Sequence, residues 1–481
     1  SRELIRFAKT ELLEPGEGES GILAIDFYAL SSYDDNGITG HAFCYVLEEG
    51  TYTILAGTNV RNAKEIGSFA LTETVVLEEL SQQLAPRRHL ERMTPKTNED
   101  GTLVPIIQAA PVYLQHYSED TCPQCADYTG DKGYKLDDVK RGIVSMDEFL
   151  AQLSDLDLCH IVKGEGMSSP KVTPGTAAAF GGLTPNLTYF GIPAGCCTDG
   201  PSGLRMDCGT NAFSLPGGTL LACTFNTSLN ADLFEMEGIE MRNNHIESLL
   251  GPGMNIHRCP LNGRNFEYYS EDSVLAGYIG ASSIAGAQSY GVYAYMKHFA
   301  LNDQQINQSK LLCTWADEQA IREIYLRPFE ISAKVGGCKA VMSSWNYIGN
   351  QWAGACNALL NGVLRGEWGF RGMVITDGFH FTDYMDSDIA IRNGCDLMLK
   401  NYDVATNHLT DTTSATSVKA MRQACKNIMY TVVNSRVYDP ANTVSTPIWR
   451  TAMIVVNVLL AVLLVVLEVL TFKSYKKKKA Q

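Results

Sequence analysis

From about Ser145 to Val437 the sequence alternates between helical stretches, such as Ser145 to Leu153 and Ala316 to Lys334, and short apolar runs, such as Ala340 to Ser343 and Met373 to Thr376. Each short run stops at a cluster of polar and small residues. That repeat suits a parallel sheet covered by its own crossover helices. It predicts an α/β fold, and the length of the region, placed at residues 141–437, suits a (β/α)8 TIM barrel. A doubly wound sheet is the alternative on periodicity alone. No Gly-x-Gly-x-x-Gly follows an early strand, which argues against a dinucleotide site.

The flanks differ in texture. Residues 1–90 read as β: His41 to Leu47 and Thr51 to Ala56 lie on either side of the turn Glu48-Glu49-Gly50, and Tyr52 and Ile54 alternate with Thr51 and Thr53. A further strand is expected at Ala8 to Leu12, ending at the turn Glu14-Pro15-Gly16-Glu17. Short strands with turn signals predict a small all-β sandwich. Residues 91–140 are polar, Pro-bearing and poorly periodic, and read as a connector.

At the other end, Thr451 to Phe472 is mostly Val and Leu, interrupted by Asn457 and Glu468. At about 1.5 Å per residue it is long enough for a transmembrane helix across the roughly 30 Å hydrocarbon core. Trp449 and Arg450 stand before it, and Lys473 with Lys476 to Lys479 after it. The lysine excess places the tail, residues 473–481, in the cytoplasm and the rest outside, as a single-pass protein of the cell membrane.

Composition removes some functions. A formal net charge of −14 over 481 residues argues against a nucleic-acid partner, which needs a concentrated basic face. The 14 cysteines form no dense framework. Cys122-Pro-Gln-Cys125 has the spacing of half a zinc site, but no second pair lies at a suitable distance, so no structural metal and no cofactor is expected. The first residue is Ser1 and no basic-then-apolar leader follows it, which reads as a processed or partial chain.

Four segments of the barrel region set charged groups beside Gly or aromatic residues just after an apolar run. They are Thr198 to Arg205, Asn262 to Asp272, Lys297 to Ala300 and Val374 to Gly378. Sugar binding needs this mixture, because carboxylates and cations grip hydroxyls while aromatic faces cover the C–H side of the ring. Each segment also has a bland explanation. Asp199 can be a turn residue, Arg264 and Glu267 a surface ion pair, Lys297 and His298 a solvated strand end, and Asp377 a helix N-cap.

Together the segments resemble the catalytic domain of glycoside hydrolase family 3. The matching blocks are Asp199 to Arg205, Gly251 to Arg258, Gly263 to Asp272, Lys297 to Ala300, Arg322 to Glu330, Val341 to Asn346 and Leu364 to Asp377. Residues 1–90 resemble the fibronectin-type-III-like domain of the same family, opening with Phe7-Ala8-Lys9-Thr10. The resemblance implies a retaining, exo-acting β-glycosidase, most simply a β-glucosidase acting on β-glucosides or oligosaccharides. It makes Asp377 the nucleophile and Asp199, Arg264, Lys297 and His298 the groups that bind sugar hydroxyls, with Trp345 as an aromatic wall. A nucleophilic carboxylate must stay ionised, and cations such as Lys297 and Arg264 lower its pKa.

The family pattern also fails in places. A retaining enzyme needs a second carboxyl group to protonate the leaving oxygen. The resemblance places it on an α/β sandwich domain, expected upstream of Ser1. Lys297-His298-Phe299 is followed by Ala300-Leu301-Asn302-Asp303 rather than Pro-Gly, which excludes the route that uses a histidine loop. Gly378 replaces the Trp that often follows the nucleophile. A catalytically silent sugar-binding protein and a β-xylosidase are the competing functions.

Overall fold

The computed structural model describes residues 2–113, 125–167, 169–378, 384–399, 409–435 and 448–479. Residues Ser1–Tyr438 form one unit and Asp439–Gln481 a second. The second holds the helix Ile448–Lys479, in which Ala452–Lys476 is long and apolar enough to cross a membrane, with a mean hydropathy of 3.0. Cys122 lies outside the described residues.

The first unit opens with β1 (Ser32–Asp34), β2 (Cys44–Leu47), β3 (Gly50–Ala56), β4 (Lys64–Leu71), β5 (Val75–Glu79), β6 (Glu91–Thr97) and β7 (Leu103–Ala109). All their pairings are antiparallel. β1-β2-β5 make one sheet, while β3–β4 and β6–β7 are separate hairpins. The expected runs at His41 to Leu47 and Thr51 to Ala56 appear as β2 and β3. Ala8 to Leu12 is not a strand: it has no partner strand among the described residues, and Leu12 is 93% exposed. The stretch read as a connector begins with the β6–β7 hairpin, in which Pro95 faces Pro105. Each strand of a two-stranded ribbon has a free edge, where a missing N–H breaks no ladder bond.

The central strands follow as β8 (Ala178–Gly181), β9 (Ala194–Asp199), β10 (Ser248–Leu250), β11 (Tyr293–Phe299), β12 (Cys313–Thr314), β13 (Ala340–Ser343), β14 (Tyr347–Ile348), β15 (Gln351–Trp352) and β16 (Met373–Ile375). The main sheet has the order β16-β13-β11-β10-β9-β8, and β12-β14-β15 form a small sheet beside it. From β9 to β16 the main pairings are parallel. Helices Thr227–Asn243, Ser273–Gln288, Arg327–Lys334 and Ala358–Glu367 alternate with these strands. Covered in this way, β10, β11, β13 and β16 are buried at every residue.

The (β/α)8 expectation meets two departures. Six strands make up the main sheet among the described residues, and β8 runs antiparallel to β9. The Gly182 N–H donates to the Pro193 carbonyl at 2.8 Å, so the ladder is already paired where the connection leaves β8. Beyond β16, backbone bonds continue from Thr376 to Leu397 (2.9 Å) and from Met398 to Val162 (3.2 Å). Glu165 then bridges Ala179 of β8.

The helix expected from Ser145 is present as Met146–Ala151, with Ser145 and Glu148 capping each other. The one expected over Ala316 to Lys334 is broken into Glu318–Ala320, a π-turn at Ile321–Tyr325, and Arg327–Lys334. Arg322 on the π-turn makes one of several contacts with the N-terminal strands. Its guanidinium lies 4.5 Å from the Tyr33 ring centroid, donates twice to Glu367 (2.7 and 3.0 Å) and once to Glu318 (3.0 Å). All three side chains are nearly sealed from water, so each carboxylate depends on the cation. Arg322→Met is expected to lower the stability of the first unit by about 3–5 kcal/mol in chemical denaturation, because it strands two buried carboxylates.

Candidate active site

The parallel strands end where the candidate residues begin. Asp199 is the last residue of β9, Lys297 and His298 lie just before the last residue of β11, Trp345 follows β13, and Asp377 follows β16. Arg264 stands on the long segment between β10 and helix Ser273–Gln288, whose N-cap is Asp272. Adjacent parallel strands bring their C-terminal ends to one rim, so residues far apart in sequence become neighbours.

Lys297 Nζ donates to Asp199 Oδ1 at 2.8 Å, and Gly200 N–H donates to the same oxygen at 3.0 Å. Asp199 Oδ2 lies 3.9 Å from an Arg205 nitrogen. Burial pushes the Asp199 carboxyl up, but the Lys297 ammonium, its hydrogen bond and the Arg264 charge outweigh it and hold the group below the usual range. Arg264 pairs closely with Glu267. The bland expectations for these residues are therefore half right. Asp199 does bond its neighbour's N–H, and Arg264 does pair with Glu267, but Glu267, Lys297 and His298 are buried rather than solvated.

Asp377 is held by one oxygen. Its Oδ1 accepts the Gly378 N–H at 2.7 Å. Its Oδ2 is buried without a hydrogen-bond partner, and His298 Nε2 lies 3.6 Å away, too far for a bond. Burial pushes the carboxyl up to about 6, against Arg264, the Gly378 N–H and Lys297, which lower it, and with Asp199, which raises it. The cations do lower this pKa as the sequence implies, but the loss of water outweighs them. His298 is driven well below its usual value by burial and by the Arg264 and Lys297 charges, so it is neutral.

Trp345 is tied to the segment that follows Asp377: its Nε1–H donates to the Gly378 carbonyl at 2.9 Å. Tyr384 donates from its hydroxyl to the Trp345 carbonyl at 2.9 Å. All six expected residues thus gather at one rim. Sequence reasoning missed the residues behind them. Asn255 bonds both backbone groups of His298, accepting from its N–H at 2.8 Å and donating to its carbonyl at 2.9 Å. Tyr268 places its hydroxyl 3.1 Å from His298 Nδ1. Asn255 and Tyr268 lie inside blocks that were singled out, so their position was the available signal.

A family model described as the glycosyl hydrolase family 3 N terminal domain matches residues 131–437. The chain belongs to glycosyl hydrolase family 3. A beta-glucosidase of Ruminococcus albus is 48% identical over 381 residues, covering 78% of this chain and 40% of that protein. Beta-glucosidase A of Butyrivibrio fibrisolvens is 34% identical over 414 residues, covering 81% of this chain and 49% of that protein. Among solved structures, a beta-glucosidase from Paenibacillus barengoltzii superposes with a TM-score of 0.80 at 38% identity, over 88% of this chain and 48% of the other. Beta-glucosidase 3B from Thermotoga neapolitana in complex with glucose gives a TM-score of 0.55 at 31% identity, over 64% of this chain and 45% of that one. This family 3 chain therefore spans about half the length of these relatives or less.

The raised Asp377 pKa has a thermodynamic consequence. The folded state holds this proton more tightly than the unfolded chain, whose carboxyl keeps the ordinary value of 3.8. Burial of the ionised group therefore costs nothing below about pH 4, and the cost is fully present only above about pH 6. Asp377→Asn is expected to be more stable than the native chain by on the order of 1–3 kcal/mol at pH 7.5 and equal to it at pH 4. Denaturant titrations at the two pH values check this.

Proposed function

We propose that this chain carries the nucleophile and the sugar-binding subsite of a retaining, exo-acting β-glucosidase. The observation that carries the reading is the asymmetry of Asp377: one oxygen is tethered to Gly378, while the other is buried without a hydrogen-bond partner, 3.6 Å from His298 Nε2. That free oxygen attacks the anomeric carbon as the bond to the leaving oxygen breaks, giving a glycosyl ester. Water then attacks the same carbon and releases the sugar with net retention. Asp199, Lys297, Arg264 and His298 bind the sugar's hydroxyls, and Trp345 supplies an apolar wall beside them. The names of the relatives, all beta-glucosidases, support glucose as the sugar.

The proton donor for the leaving oxygen is assigned to sequence outside these 481 residues, on a domain preceding Ser1. The support is the short coverage of the relatives together with the family pattern. We read the central sheet as a closed barrel with one reversed strand, supported by the backbone bonds that run from β16 through Leu397 and Val162 back to β8. The antiparallel N-terminal strands support the fibronectin-type-III-like reading of residues 1–90. The apolar helix and the lysines after it support anchoring in a cell membrane, with the catalytic unit outside and the C-terminus in the cytoplasm.

A dinitrophenyl β-glucoside tests the chemistry, because its leaving group scarcely needs protonation. Turnover is expected to lose activity below about pH 6 as Asp377 takes up its proton. Asp377→Ala is expected to reduce glycosyl-enzyme formation by at least about a thousandfold. An Asp377→Ala protein that still forms the intermediate at the native rate removes the nucleophile assignment.

A further inference from the structure

We propose that Tyr268 and Asn302 are positioning residues that hold His298 as the tautomer carrying its proton on Nε2, with that N–H directed at the free oxygen of Asp377. The contacts form one buried line. Asn302 Nδ2 donates to the Tyr268 hydroxyl oxygen at 3.2 Å, and that hydroxyl lies 3.1 Å from His298 Nδ1. On the far side of the ring, His298 Nε2 lies 3.6 Å from Asp377 Oδ2. Tyr268, His298 and Asn302 are each no more than 2% exposed, so water does not compete for these groups.

The direction of the line follows from what each group can give. An amide NH2 has only hydrogens to offer, so the Tyr268 oxygen accepts from Asn302. Its own hydrogen is then free to point at the nearest acceptor, the Nδ1 lone pair. A neutral imidazole that accepts at Nδ1 must carry its hydrogen at Nε2. The backbone of His298 is meanwhile held at both its N–H and its carbonyl by Asn255, which resists rotation of the strand end that would carry the ring out of the line. Gly253 lets Tyr268 approach this closely, since a Cβ there would sit 3.0 Å from its ring.

The consequence for chemistry rests on the glycosidase reading. An Nε2–H beside Asp377 Oδ2 offers a hydrogen bond to the ionised carboxylate or to a sugar hydroxyl lying against it. The opposite tautomer would turn a lone pair towards the carboxylate and repel it. Selection of the tautomer therefore decides whether His298 assists or opposes the charged nucleophile. The residue that sets the choice, Asn302, makes its contact two side chains away from Asp377.

Histidine labelled with 15N in the full chain reads the tautomer directly, with His298→Gln identifying the signal. The native chain is expected to show a protonated Nε2 and a bare Nδ1. Asn302→Asp puts an acceptor where the amide donor was, so Tyr268 should turn its hydrogen to the new carboxylate and accept from His298. The proton is then expected to move to Nδ1. Tyr268→Phe removes the selector and is expected to give a mixture of the two forms. In the complete protein, each variant is expected to lower kcat/KM for the dinitrophenyl β-glucoside by about tenfold, mostly through kcat. A native His298 with its proton on Nδ1, or an Asn302→Asp chain with the native pattern, overturns the proposal, as does a Tyr268→Phe chain that loses activity while keeping the native tautomer. A native protein with no glucosidase activity would instead sink the functional reading and leave the tautomer result standing.

Discussion

Lys297 lies near the end of a strand that is buried along its whole length, and its Nζ bonds Asp199 at the end of β9. A cation placed so deep is tolerable only with a carboxylate in contact. Burial raises the Asp199 carboxyl, and Lys297 and Arg264 more than offset it. The pair links the ends of β9 and β11 across the intervening strand β10. It also sets the electrostatic field in which Asp377 and His298 titrate. The neutral imidazole follows from burial and the Arg264 and Lys297 charges, and the elevated Asp377 carboxyl from burial that those charges only partly offset.

The parts of the fold that could be read from the sequence were those whose signal is local. Ala340 to Ser343 and Met373 to Thr376 are short apolar runs with polar ends; the first is a strand at those bounds, and the second is one over Met373–Ile375. Ser145 announces its helix through a capping pair with Glu148. Ala8 to Leu12 had the right residue types but found no partner, and a strand exists only in pairing. The β6–β7 ribbon was hidden by its prolines, which mark an irregular chain in most contexts and cost little on a two-stranded edge.

The candidate site divides in the same way. Its charged and aromatic residues were legible because they cluster after apolar runs in recognisable blocks. The net pKa of Asp377 was not, because a sequence displays the neighbouring cations but not the depth of burial that outweighs them. Nor were Asn255, Tyr268 and Asn302 legible in their roles. Each acts only through contact with His298 or its partner, across 43, 30 and 34 residues of chain respectively. Arg322 is a similar case. It lies in a recognised block, yet its work is to join a π-turn to Tyr33 in a sheet nearly three hundred residues earlier.

The hydrogen bond from the Trp345 indole to the Gly378 carbonyl joins the pocket's aromatic wall to the peptide that follows Asp377. In the proposed reading, sugar selectivity and attack are thus mechanically coupled: replacing the indole would release the peptide beside Asp377. The pocket then changes shape more cheaply through the loops around its rim than through Trp345.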